Sequence, residues 1–243
     1  MLAVTDHDTM AAGRAAAAAG AAHGVRVVPG VELSVRAPSG SMHLLGYFRD
    51  PAPRPLLERL EALRRGREER AMRILGRLAG LGAPLDPADV AARAAGPIGR
   101  PHIAEALVAA GHARDRQDAF DRYLADRGPA WVPHEGIGPE EAVRLVADSG
   151  GAPVLAHPAS LAMAPAALDA FVARLAAAGL RGIEVHRPDH PPERRDAYAA
   201  LARRHRLVAA GGSDFHRPGE RLWPGDTGEP PLPEDAADRL LAD

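Results

Sequence analysis

The chain contains no cysteine and no lysine, and each absence limits its chemistry. Without cysteine, disulfides and zinc–thiolate sites are excluded, so any bound metal must use histidine, carboxylate and water ligands. Those ligands suit Zn, Mn, Fe or Mg. All 30 basic residues are arginines, and arginine is the better bidentate partner for phosphate.

No apolar run approaches the ~20 residues that a membrane-spanning helix needs, so we expect no membrane contact. The net charge of −2 gives no global basic field, and we expect no stable binding of double-stranded DNA. The first residues lack the basic and apolar stretches of a signal peptide, which predicts a cytoplasmic protein. The 243 residues suffice for one large domain, or for one domain with an insertion.

Strand and helix patterns alternate near the start of the chain. Strands are predicted at Leu2–Thr5, Val25–Val28 and His43–Phe48, with a helix at Met10–His23 that Gly24 ends. This β-α-β spacing favours a parallel sheet in an α/β fold. The alternation returns later, with strands at Ala152–Ala156, Gly182–His186 and Leu207–Ala210, and helices at Pro139–Asp148, Pro165–Ala178, Pro192–His205 and Ala236–Leu241.

The middle of the chain has a purely helical pattern. A long amphipathic helix rich in arginine and glutamate is predicted at Leu56–Leu81, and Asp86 before Pro87 is a typical N-cap for another. Two more helices follow at Gly99–Ala110 and Asp115–Asp126. We therefore expect an all-helical insertion at residues 51–133 between two α/β parts, residues 1–50 and 134–243.

Potential metal ligands follow the predicted strands. A parallel sheet or barrel presents its chemistry at the carboxyl ends of its strands, so side chains from separate segments are expected at one rim. Histidines and carboxylates gathered in this way are typical of a multinuclear metal site that hydrolyses phosphate esters. The predicted ligands are His7, Glu32, His43, His157, Asp214 and His216.

Each of these residues has a simpler explanation when it is taken alone. His157 is compatible with a turn, and Asp214 with a helix N-cap. Glu32 differs, because a carboxylate in an apolar segment is costly to bury unless it is paired or bound to a cation. The joint occurrence of these residues in independent segments favours the metal site.

Three further histidines are candidates for substrate contact. His134 lies where the helical segment ends and can reach the rim. His186 and His190 flank the end of a predicted strand, where a plain loop role is equally compatible with the sequence. Either of these two is also the candidate for a general acid.

The candidate residues lie in short segments whose order is itself a pattern. The segments are TDHDT at Thr5–Thr9, PGVELS at Pro29–Ser34, HLLGYF at His43–Phe48, GRPHIA at Gly99–Ala104, LAHP at Leu155–Pro158 and GSDFH at Gly212–His216.

Taken together, these segments resemble the PHP (polymerase and histidinol phosphatase) superfamily over nearly the whole chain. The similarity is greatest to the bacterial branch of nucleoside 3′,5′-bisphosphate phosphatases and 5′-end ribonucleases. The resemblance implies a distorted (β/α)7 barrel with a metal centre at its rim and a helical insertion that covers the substrate. It also implies that Arg100 and His102 face the substrate phosphate.

The resemblance implies two to three divalent ions, of Mn, Zn, Fe or Mg, on the predicted ligands. Glu32 is similar to the carboxylate that bridges two metals, and His43 and His157 are similar to the histidines on one of them. The implied catalytic residues are Glu32, His7 and Asp214, and His216 completes the ligands.

The family's first strand, with a His-x-His pair and a following Ser-Asp-Gly turn, has no counterpart in the sequence. Either the sequence begins downstream of the true start, which we favour because the other ligands are intact, or one barrel strand is absent. The neighbouring strands would then present unpaired edges. We expect the 243-residue form to be less stable, and weakly active or inactive.

The leading hypothesis is hydrolysis of a phosphate ester, in a nucleoside bisphosphate or an RNA 5′-end nucleotide, by a metal-bridged hydroxide. Three alternatives stay open. The domain binds a nucleotide or a partner protein without turnover, or it degrades longer RNA from the 5′ end, or it is a metabolite phosphatase similar to histidinol phosphatase.

Overall fold

The computed structural model describes residues 1–94, 98–133, 136–216 and 222–242. The chain divides into two compact units, the first formed by Met1–Leu60 with Gly136–Asp243 and the second by Glu61–Glu135. None of the described helices is both long and apolar enough to cross a membrane.

The first unit is built on a mixed sheet whose strands, in the described ranges, lie side by side in chain order. They are β1 (Leu2–Val4), β2 (Val27–Val35), β3 (Met42–Phe48), β4 (Gly151–Leu155), β5 (Gly182–His186) and β6 (Val208–Gly211). β1 is parallel to β2, and β4, β5 and β6 are parallel to one another. β3 is antiparallel to both of its neighbours.

The prediction of a parallel sheet is wrong at β3. Pro29 and Gly30 resemble a strand terminator, yet β2 continues through them to Val35 and therefore contains Glu32. Gly30 permits this because a Cβ atom there would lie 2.7 Å from the Thr5 side chain. With β2 extended in this way, the short segment that follows it leads back into an antiparallel neighbour.

Most described helices agree closely with the predicted ones, but the helix predicted at Asp115–Asp126 is instead a short α-helix, Arg116–Ala119, followed by a π-helical turn, Phe120–Leu124. Pro139–Asp148 has its predicted bounds, and Gly24 follows the first helix with a left-handed φ of 67°. The helices are α1 (Gly13–Ala22), α2 (Arg54–Gly80), α3 (Pro87–Ala91), α4 (Arg100–Ala109), α5 (Arg116–Ala119), α6 (Pro139–Asp148), α7 (Pro165–Ala177), α8 (Pro192–Arg204) and α9 (Ala236–Leu241).

The second unit consists of helices and turns, and none of its described residues lies in a β-strand. Its core is apolar, with Ile74, Leu78, Ile103 and Leu107 almost fully buried. The predicted N-cap is confirmed, because the Asp86 side chain accepts a hydrogen bond of 2.8 Å from the backbone N–H of Ala88. Leu107 and its neighbours thus form a hydrophobic core within this unit alone.

Candidate metal centre

The reversed direction of β3 brings the predicted ligands to one rim of the sheet. β1, β2, β4, β5 and β6 all point the same way, so their carboxyl ends share this rim with the amino end of β3. His43, the second residue of β3, pairs in register with Ser34 near the end of β2. An isolated bridge places His7, beyond β1, beside Glu32.

Glu32, His43 and His157 form the centre of the site. The Glu32 Oε1 atom lies 2.7 Å from His43 Nδ1 and 3.1 Å from His157 Nε2, and the two nitrogens are 3.1 Å apart. Ligands of a single ion with bonds of ~2.1 Å are about 3.0–3.4 Å apart. Two of the three separations lie in this range and the third, between Glu32 and His43, is shorter, so the three donor atoms are close enough to share one divalent cation.

The second oxygen of Glu32 faces another histidine. His7 Nδ1 lies 3.9 Å from Glu32 Oε2, and the ligand atoms of His7, Glu32 and His43 all lie within 4.8 Å of one another. The carboxylate thus points one oxygen toward His43 and His157 and the other toward His7. This is the arrangement that a carboxylate bridging two cations requires.

Glu32 is ionised although it is only 5% exposed. Burial alone would raise its pKa, but hydrogen bonds with His157 and His43, and the nearby His7, hold the pKa well below its usual range. Burial correspondingly opposes protonation of His157, but its partners Glu32 and Glu184 raise the pKa of that imidazole. The carboxylates therefore attract positive charge to this point, either as protons or as a cation.

A hydrogen bond with the Ser160 hydroxyl fixes the orientation of the His157 ring. His157 Nδ1 lies 2.9 Å from Ser160 Oγ, and this hydroxyl is 2.9 Å from the carbonyl oxygen of Ser41. Because the hydroxyl proton is given to a carbonyl, Oγ accepts from the Nδ1–H group. The Nε2 atom of His157 is then the atom available to a cation.

Asp214 and His216 follow β6, and His216 lies close to His7. His216 Nδ1 donates a hydrogen bond of 2.8 Å to the Asp214 carbonyl and lies 3.7 Å from the Asp214 Oδ1 atom. The rings of His7 and His216 are 5.8 Å apart. His216 therefore lies beside His7, whose Nδ1 atom faces the second oxygen of Glu32.

Two charged residues of the site were missed by the sequence analysis. Glu184 lies in β5 and accepts a hydrogen bond of 2.6 Å from the backbone N–H of His157. Arg187 follows β5 and lies 3.5 Å from Asp214. The signal was present, because Glu184 is a carboxylate in an apolar strand, the argument that identified Glu32.

Two of the predicted substrate residues lie in the second unit. Arg100 Nη1 contacts Asp126 Oδ1 at 2.6 Å and the Leu124 carbonyl at 3.0 Å. His102 Nδ1 accepts a hydrogen bond of 3.1 Å from the backbone N–H of Gly99 at the start of α4. Their contacts to a phosphate remain predictions.

Of the other three predicted substrate residues, two contact backbone carbonyl groups and one lies outside the described residues. His186 Nδ1 donates to the Pro230 carbonyl at 3.1 Å. His190 is buried, and its Nδ1 donates to the Val185 carbonyl at 3.1 Å, a structural contact behind β5. His134 lies outside the described residues. A substrate role for each of the three stays a prediction.

A cavity of about 840 Å³ opens on the ligand-bearing rim. One part of its wall carries the charged groups, including Glu32, His157 and Asp214. Residues of β1, residues between Pro224 and Glu234, and residues of α9 also line the cavity. A cavity of this volume is large enough for a small ligand.

Curated proteins of known activity are similar to this chain over most of its length. The 3′,5′-nucleoside bisphosphate phosphatase of Chromobacterium violaceum is 36% identical over 229 residues, which cover 90% of this chain and 78% of the relative. The 5′-3′ exoribonuclease Rnm of Escherichia coli is 35% identical over 91% of this chain and 79% of its own. No protein-family model matches the chain.

Two solved structures are also similar to this chain over nearly its whole length. An amidohydrolase from Chromobacterium violaceum, with bound sulfate and no metal, has a TM-score of 0.75 and 34% identity over 99% of this chain and 87% of its own. A protein from Bifidobacterium adolescentis assigned as a metal-dependent phosphoesterase has a TM-score of 0.74 and 31% identity, covering 98% of this chain and 84% of its own. Together with the rim of histidines and carboxylates, these similarities show that the chain belongs to the PHP family.

Proposed function

We propose that this chain is a cytoplasmic, metal-dependent phosphoesterase whose substrate is a nucleoside bisphosphate or the 5′-end nucleotide of RNA. The observation that carries the proposal is the convergence of Glu32, His43 and His157 on one point, with donor separations of 2.7–3.1 Å. The two curated relatives support it, since one is a bisphosphate phosphatase and the other a 5′-3′ exoribonuclease.

The proposed ligands divide into two groups, His43 with His157 and His7 with Asp214 and His216. Glu32 would bind a cation of each group through one of its two oxygens. Bound cations would acidify a water molecule and offset the negative charge of the phosphate. Glu32 supplies a carboxylate whose burial would raise its pKa but whose hydrogen bonds with His157 and His43 hold the pKa below its usual range. The residues that would hold two to three ions of Mn, Zn, Fe or Mg are His7, Glu32, His43, His157, Asp214 and His216.

Substrate recognition is proposed for the helical insertion, residues 51–133. Arg100 presents a planar guanidinium that suits phosphate, and its present partner Asp126 is an exposed carboxylate that a phosphate can replace. His102, His134, His186 and His190 are proposed as further contacts to the substrate.

We also propose that the sheet is part of a distorted (β/α)7 barrel. In the described part of the chain, β1 and β6 are the edges of the sheet, and both border the 840 Å³ cavity. Edge strands carry unpaired N–H and C=O groups that favour pairing with a further strand. One more strand at this position would complete the barrel.

Metal dependence and the identity of the substrate can be tested in one experiment. The purified chain is freed of metal, reloaded with Mn²⁺ and given adenosine 3′,5′-bisphosphate, a 5′-phosphorylated oligoribonucleotide or histidinol phosphate. We expect weak hydrolysis that chelation abolishes and that the Glu32→Gln variant loses by about 10²–10³-fold or more. Faster turnover of the oligonucleotide would favour the exoribonuclease activity, and preference for histidinol phosphate would favour the metabolite phosphatase.

The matched control is Glu141→Gln. It removes an exposed carboxylate of α6 that is paired with Arg59 of α2. This variant should keep the activity of the unsubstituted chain. Near-normal hydrolysis by Glu32→Gln would refute the assignment. Stoichiometric metal without any turnover would instead favour the alternative of a domain that binds nucleotide only.

A further inference from the structure

A largely buried ion pair lies at the end of β5, and both of its residues line the cavity that Glu32, His157 and Asp214 also line. Glu184 is 4% exposed and Arg187 is 3% exposed, and Arg187 Nη1 lies 3.2 Å from Glu184 Oε2. Burial of two charges is costly, and an apolar pair of similar volume would fill the same space without that cost. The pair therefore calls for an explanation beyond packing.

One member of the pair holds His157. The Oε2 atom of Glu184 accepts a hydrogen bond of 2.6 Å from the backbone N–H of His157. His157 has φ of 23° and ψ of 66°, a conformation that non-glycine residues rarely adopt. Such a backbone persists only where the surrounding structure holds it, and the Glu184 carboxylate makes a direct contact with that backbone.

The other member of the pair holds Asp214. Arg187 Nη2 lies 3.5 Å from Asp214 Oδ2, and Asp214 also has a left-handed backbone, with φ of 54°. The guanidinium is itself fixed by Asp189, whose two carboxylate oxygens lie 2.9 and 3.0 Å from Nε and Nη2. Arg187 thus has a fixed orientation from which it can hold the Asp214 carboxylate.

We propose that Glu184 and Arg187 are a positioning pair that sets the separation between the His157 and Asp214 donor groups, and through it the affinity of the centre for its cations. The pair connects two proposed ligands that follow different strands, β4 and β6, each with a strained backbone. Neither residue needs to touch a cation or the substrate. The proposal rests on the proposed function, since it assigns the pair to that metal centre.

The test measures metal binding rather than turnover. Mn²⁺ affinity and the visible absorption spectrum of the Co²⁺-loaded chain, which reports ligand geometry, are compared for the unsubstituted chain, Arg187→Met, Arg187→Lys and Glu184→Gln. We expect Arg187→Met to lower the affinity by about 10–100-fold and to change the Co²⁺ spectrum. Arg187→Lys keeps the charge beside Glu184 and should restore part of the affinity.

The control for general destabilisation is Asp118→Asn in the second unit. Asp118 is also a largely buried carboxylate, paired with Arg114 and Arg122. This variant should lower the melting temperature and leave Mn²⁺ affinity unchanged. An equal loss of affinity in Asp118→Asn would overturn the positioning role, because the effect would then follow from stability alone.

The remaining outcomes separate this proposal from the proposed function. Unchanged affinity in a folded Arg187→Met overturns the positioning pair and leaves the metal centre intact. If Arg187→Met does not fold, unchanged affinity in both Arg187→Lys and Glu184→Gln overturns it equally. An unsubstituted chain that binds no divalent metal overturns both proposals.

Discussion

At the residue scale, the site is organised by carboxylates that the strands place in apolar surroundings. Glu32 in β2 and Glu184 in β5 are both buried, and each is satisfied by donors from other segments. The sequence argument about the cost of an unpaired buried carboxylate identified Glu32. It could not reveal the long-range partner, because the backbone of His157 meets Glu184 only after β4 and β5 have paired.

His190 allows a test of pH dependence away from the proposed ligands. Burial lowers the pKa of this imidazole from 6.5, so between the folded and unfolded pKa values the unfolded chain binds the extra proton. The stability associated with His190 is therefore fully present above pH 6.5 and decreases as the pH falls. We expect His190→Gln to cost about 1–2 kcal/mol at pH 8, through the lost contact with Val185, and less at pH 5.5.

Urea unfolding of His190→Gln and of the unsubstituted chain, at pH 8 and at pH 5.5, measures the difference in their free energies of unfolding. His23→Gln, which removes an exposed imidazole next to α1, is the control for the loss of a histidine as such. The prediction would be contradicted if His190→Gln lowered the free energy of unfolding by the same amount at pH 8 and at pH 5.5.

At the element scale, local signals predicted the helices and failed to predict one pairing. The ends of helices are encoded nearby, by the cap of Asp86, by Gly24, and by prolines at the first turn of α6, α7 and α8. The direction of β3 is not encoded nearby. It depends on β2 continuing past Pro29 and Gly30, which is decided by its pairing with β1 and β3.

Two glycines in helices should respond oppositely to substitution by alanine. Gly76 lies inside α2, and a Cβ atom added there would meet nothing within 4 Å. Gly20 lies inside α1, where a Cβ atom would be 2.5 Å from the Val25 carbonyl oxygen and 2.6 Å from Val27. Gly76→Ala should stabilise the chain by about 0.5–1 kcal/mol through helix propensity, whereas Gly20→Ala should destabilise it by about 1–3 kcal/mol through overpacking.

Thermal and urea unfolding of both variants check this pair, and Gly66→Ala, also open in α2, serves as a repeat of the stabilising case. Equal effects of Gly76→Ala and Gly20→Ala would show that the close contact of α1 with Val25 is absent in solution.

At the scale of the whole molecule, composition and motif order indicated an α/β fold with helices inserted in its middle. They did not indicate that the second unit starts at Glu61, inside the continuous helix α2. A boundary within a helix leaves no proline, glycine or charge signal, because the backbone conformation on both sides is the same. Only the three-dimensional packing distinguishes the two halves of α2.

Binding of metal should act on the stability of the first unit, because the proposed ligands in the described residues all belong to it. A ligand present at 100 times its dissociation constant stabilises the folded state by about 2.7 kcal/mol. Amides that exchange only through opening of this unit should therefore exchange about 100-fold more slowly with Mn²⁺. Hydrogen exchange measured by mass spectrometry should show this slowing in peptides from β2, β3 and β4.

The Glu32→Gln variant should lose this slowing, because a neutral amide cannot bridge two cations as the Glu32 carboxylate is proposed to do. Peptides from α4, in the second unit, provide an internal comparison in the same sample. Slowing confined to α4, or slowing that persists in Glu32→Gln, would place the bound metal elsewhere. A slowing strongest in β2, β3 and β4 would instead mean that the same contacts which gather the donors also transmit the free energy of metal binding to the sheet.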